Sequence, residues 1–343
     1  MAILVTVIIP TLNEEGYISG VLDNVLDQTY PNEALEILVI DGRSSDNTRA
    51  VVELYVAKYN NIRLLDNPEG IVPYALNYGI EHASGEVIVR LDAHSRYPND
   101  YLEVLVDKLE ETGADNVGGM WQVCPANNTR IAKAIAYANS SRFGIGSPAY
   151  RFEGDGVREV DTMPFGCYRR DVFDRVGKFD TDLVRNQDDE FNSRLLSRGG
   201  KIMYVPQVKV QYFARDTIYK MAKMFYQYGL YKPLASKKLG RVSTLRQIVP
   251  PLFVFTLVFL ASLMFIDSSI GFALVVLMLV YVVIAIYEAF LVAKEEKGGL
   301  FLLLIPFIYF VIHVSYGAGY IRGLVNTFLP GFGYSKDKVS ISR

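Results

Sequence analysis

A chain of 343 residues is long enough for more than one structural unit, since single domains commonly run to about 100–200 residues. Its formal net charge of −2 supplies no global basic field, so a nucleic-acid partner is not expected and positive charge counts only where it is local. The two cysteines, Cys124 and Cys167, lack metal-type spacing and read as free thiols in a reducing compartment.

The first apolar run, Ala2 to Pro10, has no basic n-region, is broken by Pro10 and leads into Asn13-Glu14-Glu15, so it reads as a buried strand rather than a signal peptide. From there short β-branched runs alternate with amphipathic stretches: Val5 to Ile9, Tyr17 to Gln28, Glu36 to Ile40, Thr48 to Tyr59, Ile62 to Leu65, Ile71 to Ala83 and Glu86 to Leu91. Strands that are near-continuous in Val, Ile and Leu are buried on both faces, so this repeated βα pattern predicts a parallel sheet covered by helices. Ligands in such sheets bind at the carboxyl ends of the strands. No Gly-x-Gly-x-x-Gly or Walker-type loop is present, which leaves the dinucleotide and P-loop readings without support.

Asp41 and Asp92 both end an apolar run. Asp41 opens Asp41-Gly42-Arg43-Ser44-Ser45-Asp46, where an acid leaving a strand can accept hydrogen bonds from a base or ribose; a capped turn with Ser44 or Asp46 as N-cap is the structural alternative. In Asp92-Ala93-His94 an extended backbone would put the carboxylate and the imidazole on one face, within reach of one divalent cation. Magnesium prefers oxygen and manganese accepts imidazole more readily, while a plain hydrogen-bonding His94 is the alternative.

Between Cys124 and Val160 the apolar pattern weakens and Gly, Ser, Asn and Pro accumulate, which predicts loops over a site. The third acidic station, Asp188-Asp189-Glu190, opens a helix-like run. Neighbours on a helix are about 100° apart, so at most one or two of the three enter a pocket, and one of those is placed to act as a general base.

Thr217 to Tyr231 spaces Lys220, Lys223 and Gln227 as an amphipathic helix that lies on a membrane or packs on the protein. Ile248 to Ile266, Ile270 to Val292 and Leu300 to Tyr320 each approach the roughly 20 residues that span a bilayer. Arg215, Lys220, Lys223, Lys232, Lys237, Lys238, Arg241 and Arg246 precede the first of them, which places the N-terminal part in the cytoplasm. Three crossings would put the basic tail, with Arg322, Lys336, Lys338 and Arg343, outside, so one segment, such as that with Pro250-Pro251, is expected to be re-entrant. Asn127-Asn128-Thr129 and Asn139-Ser140-Ser141 match glycosylation sequons that a cytoplasmic unit would not use. Glu288 and His313 lie within apolar segments, where ionisable groups are costly and suggest a role; a place near a span end or against a neighbouring helix is the alternative, and neither is expected in the active site.

Taken in order, Val7-Ile8-Ile9-Pro10-Thr11-Leu12-Asn13-Glu14-Glu15, Asp41 to Asp46, Asp92-Ala93-His94 and Gln187-Asp188-Asp189-Glu190 with Arg194-Leu195 resemble the motifs of inverting family-2 glycosyltransferases over residues 3–213. Leu91 to His94, Pro164-Phe165-Gly166-Cys167-Tyr168-Arg169-Arg170 and Arg185 to Glu190 are most similar to the membrane-bound succinoglycan-biosynthesis group. The resemblance implies an α/β GT-A, Rossmann-like nucleotide-sugar-binding domain followed by a transmembrane helical region. It implies donor binding, usually of a UDP-sugar, by Pro10, Thr11, Glu14, Asp41 and Asp92, with Asp188 as catalytic base. Phe165, Gly166, Asp189 and Glu190 are expected near the acceptor or donor sugar, and Asp92 with His94 at a divalent metal, Mg2+ or Mn2+. His94 replaces the usual second acid of Asp-x-Asp and Gln187 the usual Glu. Gln227-Tyr228-Gly229-Leu230-Tyr231 stands where processive synthases carry Gln-x-x-Arg-Trp, which argues against a processive polymerase.

The expected organisation is a cytoplasmic catalytic domain over residues 1–215, a basic amphipathic interfacial segment over 216–247, two to three transmembrane helices over 248–320 and a tail over 321–343. The expected partners are a nucleotide-sugar donor, a lipid-linked saccharide acceptor and the lipids of the cell membrane, for which Lys237, Lys238 and Arg241 offer phosphate contacts or merely fix topology. A polyprenyl-phosphate sugar synthase and a non-catalytic nucleotide-sugar-binding membrane protein are the competing expectations.

Overall fold

The computed structural model describes residues 2–154, 156–241, 245–296, 298–329 and 331–334. Lys336, Lys338 and Arg343, which enter the charge argument for topology, lie outside the described residues. The chain divides into two compact units, Met1–Gln122 with Pro148–Tyr212, and Val123–Ser147 with Phe213–Arg343.

In the first unit the alternation of apolar runs and amphipathic stretches becomes β1 (Val5–Thr11), α1 (Ile18–Leu26), β2 (Leu35–Asp41), α2 (Thr48–Lys58), β3 (Ile62–Asp66), α3 (Val72–His82), β4 (Val87–Arg90), β5 (Ser95–Arg96) and α4 (Tyr101–Thr112). β6 (Asn116–Cys124) leads towards α5 (Arg130–Ser140) and α6 (Arg142–Ile145) of the second unit; β7 (Arg158–Glu159), β8 (Cys167–Arg169), α7 (Asp171–Val176), α8 (Gln187–Ser197) and β9 (Ile202–Phe213) follow. The strands form one mixed sheet in the order β3-β2-β1-β4-β8-β6-β9-β5, with β7 on β9. β3, β2, β1 and β4 run parallel. β8 pairs antiparallel with β4 and β6, which departs from an all-parallel sheet.

Period-two alternation along β1 serves both faces. Val5, Val7 and Ile9 enter a core with α1 and α4 residues such as Leu22 and Leu105, whereas Ile8 packs with Leu76, Phe173 and Phe191 on the other side. Register then sets the edge: Thr11 stands opposite Asp41, and Asp41 opposite Asp66. Ile8 pairs with Arg90, so the carboxyl ends of four parallel strands deliver Thr11, Asp41, Asp66 and Arg90-Leu91-Asp92 to one rim.

The segment expected as loops between Cys124 and Val160 instead contains α5, whose four alanines, Ala132, Ala134, Ala136 and Ala138, are all buried. Alanine has the highest helix propensity, and Thr129 caps the helix by accepting from the Ala132 N–H. In the same unit α9 (Ile218–Leu239) buries Met221, Met224 and Tyr231, and α10 (Val249–Leu263), α11 (Ser268–Glu295) and α12 (Phe301–Phe328) follow. α11 and α12, at 28 residues each, are long and apolar enough to cross a bilayer, while α10 has only 15 residues.

α9 and α12 approach closely because of glycine. A Cβ on Gly229 would stand 2.1 Å from the Tyr316 carbonyl oxygen, and one on Gly319 2.1 Å from that of Tyr226. Small residues at a crossing let backbones meet.

Candidate active site

Two loops at the rim are laced together before any ligand arrives. The Asn13 N–H donates to Ser44 Oγ at 2.8 Å, the Ser45 N–H to Asn13 Oδ1 at 2.8 Å, and the Glu14 N–H to Thr48 Oγ1 at 2.7 Å. Pro10 and Thr11 are buried at the end of β1. Asp41 is fully buried with both oxygens engaged: Oδ1 accepts from Ser44 Oγ, and Oδ2 from the Ser44 N–H and from Arg49 at 3.0 Å. Asp41 therefore fixes the loop between β2 and α2 through Ser44 and Arg49, while neither Ser44 nor Asp46 is the N-cap of α2, which is Asn47.

Asp92 and His94 sit in a turn, not in an extended strand. The Ser95 N–H donates to the Asp92 carbonyl at 3.3 Å, so the face-sharing expected from i and i+2 spacing does not apply. His94 Nδ1 instead lies 3.5 Å from Glu14 Oε1, and its ring meets Tyr212 edge-on at 5.9 Å.

The centre of the arrangement is Arg90, which the sequence analysis did not single out. Its guanidinium donates from Nε and one Nη to Asp92 Oδ1, at 3.1 Å each, and from the other Nη to Asp188 Oδ1 at 2.5 Å. Its side chain is 7% exposed, so both ion pairs are largely desolvated. Two acids separated by almost a hundred positions thus share one cation. The backbone N–H of Arg90 donates to the Gly166 carbonyl, and its guanidinium lies over the Phe165 ring at 5.1 Å. Burial pushes the Asp188 carboxyl above the ordinary carboxylate range; Arg90 offsets part of this, while Asp92 and Asp189 add to it. A carboxylate whose pKa is raised in this way is a stronger proton acceptor, as a general base requires.

α8 presents the third station. Asn186 precedes it with φ of 65°, and the acids fall in its first turn, where the helix dipole favours negative charge. Of the three, Asp188 meets Arg90, Asp189 accepts from Thr162 Oγ1 at 3.1 Å, and buried Glu190 pairs with Arg194 at 2.8 Å. Arg194 also donates to the carbonyls of Val176 and Lys178, so Glu190 ties α8 to the segment after α7. The expected angular separation on a helix is thereby realised as three different partners.

Phe165 has φ of 53° and stacks on Trp121 at 4.3 Å, with Tyr212 stacked on the same indole at 4.7 Å. Gly166 has no room for a side chain, since a Cβ there would come within 2.1 Å of Asn116 Oδ1. Among the described residues, the non-glycine positions with positive φ are Asn13, Arg43, Phe165 and Asn186. Each flanks a segment just described, the pattern expected where backbone strain is kept for function. Sequence could have flagged Arg90 as a cation inside the apolar run Val87-Ile88-Val89-Arg90-Leu91; no sequence signal marked that Asp92 and Asp188 would share it.

The family profile described as Glycosyl transferase family 2 matches residues 6–177. The chain is 29% identical over 330 residues to a Methanococcus voltae dolichyl N-acetyl-alpha-D-glucosaminyl phosphate 3-beta-D-2,3-diacetamido-2,3-dideoxy-beta-D-glucuronosyltransferase, covering 94% of this chain and 97% of that one. It is 28% identical over 246 residues to the succinoglycan biosynthesis protein ExoA of Rhizobium meliloti, 71% of this chain and 73% of the other. A mannosyltransferase from Pyrobaculum calidifontis, solved with GDP-Man and Mn2+, superposes with a TM-score of 0.57 at 19% identity, covering 96% of this chain and 88% of that one. The profile match, the relatives and the fold agree that this chain belongs to glycosyltransferase family 2 and is a glycosyltransferase built on a GT-A fold.

Proposed function

We propose that the protein transfers a sugar, with inversion, from a nucleotide-sugar donor of the UDP-sugar type to a lipid-linked saccharide at the cytoplasmic face of the cell membrane, in exopolysaccharide or other surface-glycan assembly. The observation that carries the reading is the buried bridge Asp92–Arg90–Asp188, which joins an acid at the end of a parallel strand to a carboxyl held above the ordinary range by burial. The nearly full-length Methanococcus relative, named for a dolichyl-linked sugar phosphate, supports the lipid-linked acceptor. The apolar helices α10, α11 and α12 support a membrane-embedded anchor, and the basic residues before α10 support a cytoplasmic catalytic unit.

In this reading Asp188 takes the proton of the acceptor hydroxyl as its oxygen attacks the anomeric carbon, and the nucleoside diphosphate leaves from the opposite side. Arg90 holds the Asp188 carboxylate in place and keeps it ionised. Asp41, fixed by Ser44 and Arg49, shapes the base-side loop with Pro10, Thr11 and Glu14, while Phe165, Gly166 and Asp189 border the sugar.

Among the described residues no group of three His, Cys, Asp or Glu side chains forms a ready metal cage. The residues present still fit a nucleotide-borne Mg2+ or Mn2+, which is commonly held by one or two carboxylates plus phosphates. Asp92 would hold it through its carboxylate, of which Arg90 occupies Oδ1, while His94 of the expected pair is turned to Glu14. When bound, the ion supplies charge neutralisation at the departing diphosphate.

The test uses purified full-length chain, a panel of nucleotide sugars including UDP- and GDP-sugars, and extracted lipid-linked saccharides, with products identified by mass. Asp188→Asn is expected to lower turnover by about 10²–10⁴ while donor affinity holds. Wild-type turnover in that variant would remove Asp188 as base. A product of one sugar on a polyprenyl monophosphate would replace the acceptor reading with that of a polyprenyl-phosphate sugar synthase.

A further inference from the structure

The contacts along α12 do not suit a helix that crosses the bilayer. At its start, Phe301 meets Tyr137 of α5, and Glu296, just before it, pairs with Lys133 at 2.8 Å and accepts from the Tyr137 hydroxyl at 2.7 Å. Midway, His313 Nε2 lies 2.9 Å from the Phe143 carbonyl of α6. Further on, Gly319 and Gly323 meet the backbone of Tyr226 and Leu230 in α9, and at the end Lys237 donates to the Thr327 carbonyl at 3.1 Å. From Phe301 to Phe328 is 28 residues, or about 42 Å at 1.5 Å per residue.

α5, α6 and α9 all precede α10 in the chain. If α12 crossed, the ion pair of Lys133 with Glu296 would lie at one membrane surface and Lys237 at the other, so α9 would have to cross as well. α9 carries Lys220, Lys223, Lys232, Lys237 and Lys238 in 22 residues, a density of charge that a span does not tolerate. The remaining arrangement is for α12 to lie in the plane of the membrane. Its surface matches: Leu303, Phe307, Leu324 and Phe328 are exposed, and Val314 and Ile321 continue the same stripe at helical spacing.

We propose that α12 lies along the cytoplasmic membrane surface with this stripe in the acyl chains, that α9 covers its opposite side, and that α10 and α11 enter the bilayer as a hairpin. The C-terminus then stays on the catalytic side, which removes the conflict between three crossings and a tail carrying Arg322, Lys336, Lys338 and Arg343. The inference rests on the membrane association proposed above and not on the chemistry.

The experiment places spin labels at Leu303→Cys, Val314→Cys and Phe328→Cys, one at a time, in full-length chain with Cys124→Ser and Cys167→Ala. The protein is reconstituted into phosphatidylethanolamine–phosphatidylglycerol liposomes, and depth is read from oxygen against nickel-chelate relaxation. A flat profile, with the three sites within about 5 Å of one another, is expected for an in-plane helix. Val314 lying about 10 Å or more deeper than both ends overturns the proposal, because the middle of a crossing helix sits near the centre of a core about 30 Å thick. A second measurement keeps both native cysteines: an epitope after Arg343 should be reached by antibody in inverted membrane vesicles only, and exposure in right-side-out vesicles overturns the proposal. Failure of the unaltered chain to bind liposomes would overturn the membrane reading as a whole, whereas a crossing profile overturns only the in-plane helix.

Discussion

Arg90→Lys separates the role given to Arg90 from simple structural support. The guanidinium forks between Asp92 and Asp188, with contacts of 3.1 Å and 2.5 Å, and an ammonium on a single stem cannot reproduce that fork. At a charge separation of about 4 Å and an effective dielectric constant near 20, each pair contributes about 4 kcal/mol of direct attraction. Loss of the Arg90–Asp188 attraction would remove what opposes the effect of burial and raise the Asp188 pKa further. Lysine keeps the charge at longer range, so a smaller upward shift is the expected result. The sign follows from the chemistry: Asp188 must be ionised to accept a proton, its pKa is already raised by burial, and Arg90 works against that rise. The acid limb of kcat/KM for the wild type should therefore lie above the ordinary aspartate range, and that of Arg90→Lys higher still, with activity recovering as pH increases. Full pH–rate profiles of both proteins under saturating acceptor provide the assay. Unchanged limbs in an active Arg90→Lys would refute the coupling, as would a loss of activity equal at every pH, which would mark Arg90 as merely structural.

Asp92→Ala should lower activity and abolish whatever dependence on added Mg2+ or Mn2+ the wild type shows after chelation; activity indifferent to both treatments would exclude a metal role for Asp92. Arg49→Ala leaves the fully buried Asp41 with Ser44 alone, and because Arg49 is itself 38% exposed the loss is put at only about 1–2 kcal/mol. Urea denaturation checks this, and an unchanged midpoint would mean that solvent already screens the pair. Gly319→Val drives a side chain into the Tyr226 carbonyl, so the α9–α12 crossing must open at a cost of about 1–3 kcal/mol, read as a lower melting temperature in detergent; an unaltered melt would refute the close packing.

Much of the fold was legible because strand patterning is local. Val5 to Ile9 and Glu36 to Ile40 announce buried strands in their own composition, and the rim acids follow from where those runs stop. α5 was missed because its loop-like flanks, rich in Gly, Asn and Ser, masked a short alanine-rich segment. α12 was expected to end at Tyr320 and runs to Phe328, since Gly317, Gly319 and Gly323 weaken helix propensity while permitting the contact with α9 that stabilises the longer helix.

The site was legible only as a set of residue types at strand ends and a helix start. Asp92 and Asp188 could each be picked out as an acid in the right place, but what makes them one unit is Arg90, and a pairing between residues 98 positions apart has no local signature. An arginine in an apolar strand reads as a break in the pattern, and it becomes intelligible once folding supplies the counter-charges that make burying it tolerable. The same reasoning applies in reverse to Asp41 and Glu190. Their types suggested ligand contacts, whereas Ser44 and Arg49 in one case and Arg194 in the other engage the carboxylates internally. A sequence identifies which side chains have the chemistry to act; the partners each one meets determine whether that chemistry is spent within the protein or offered to a ligand.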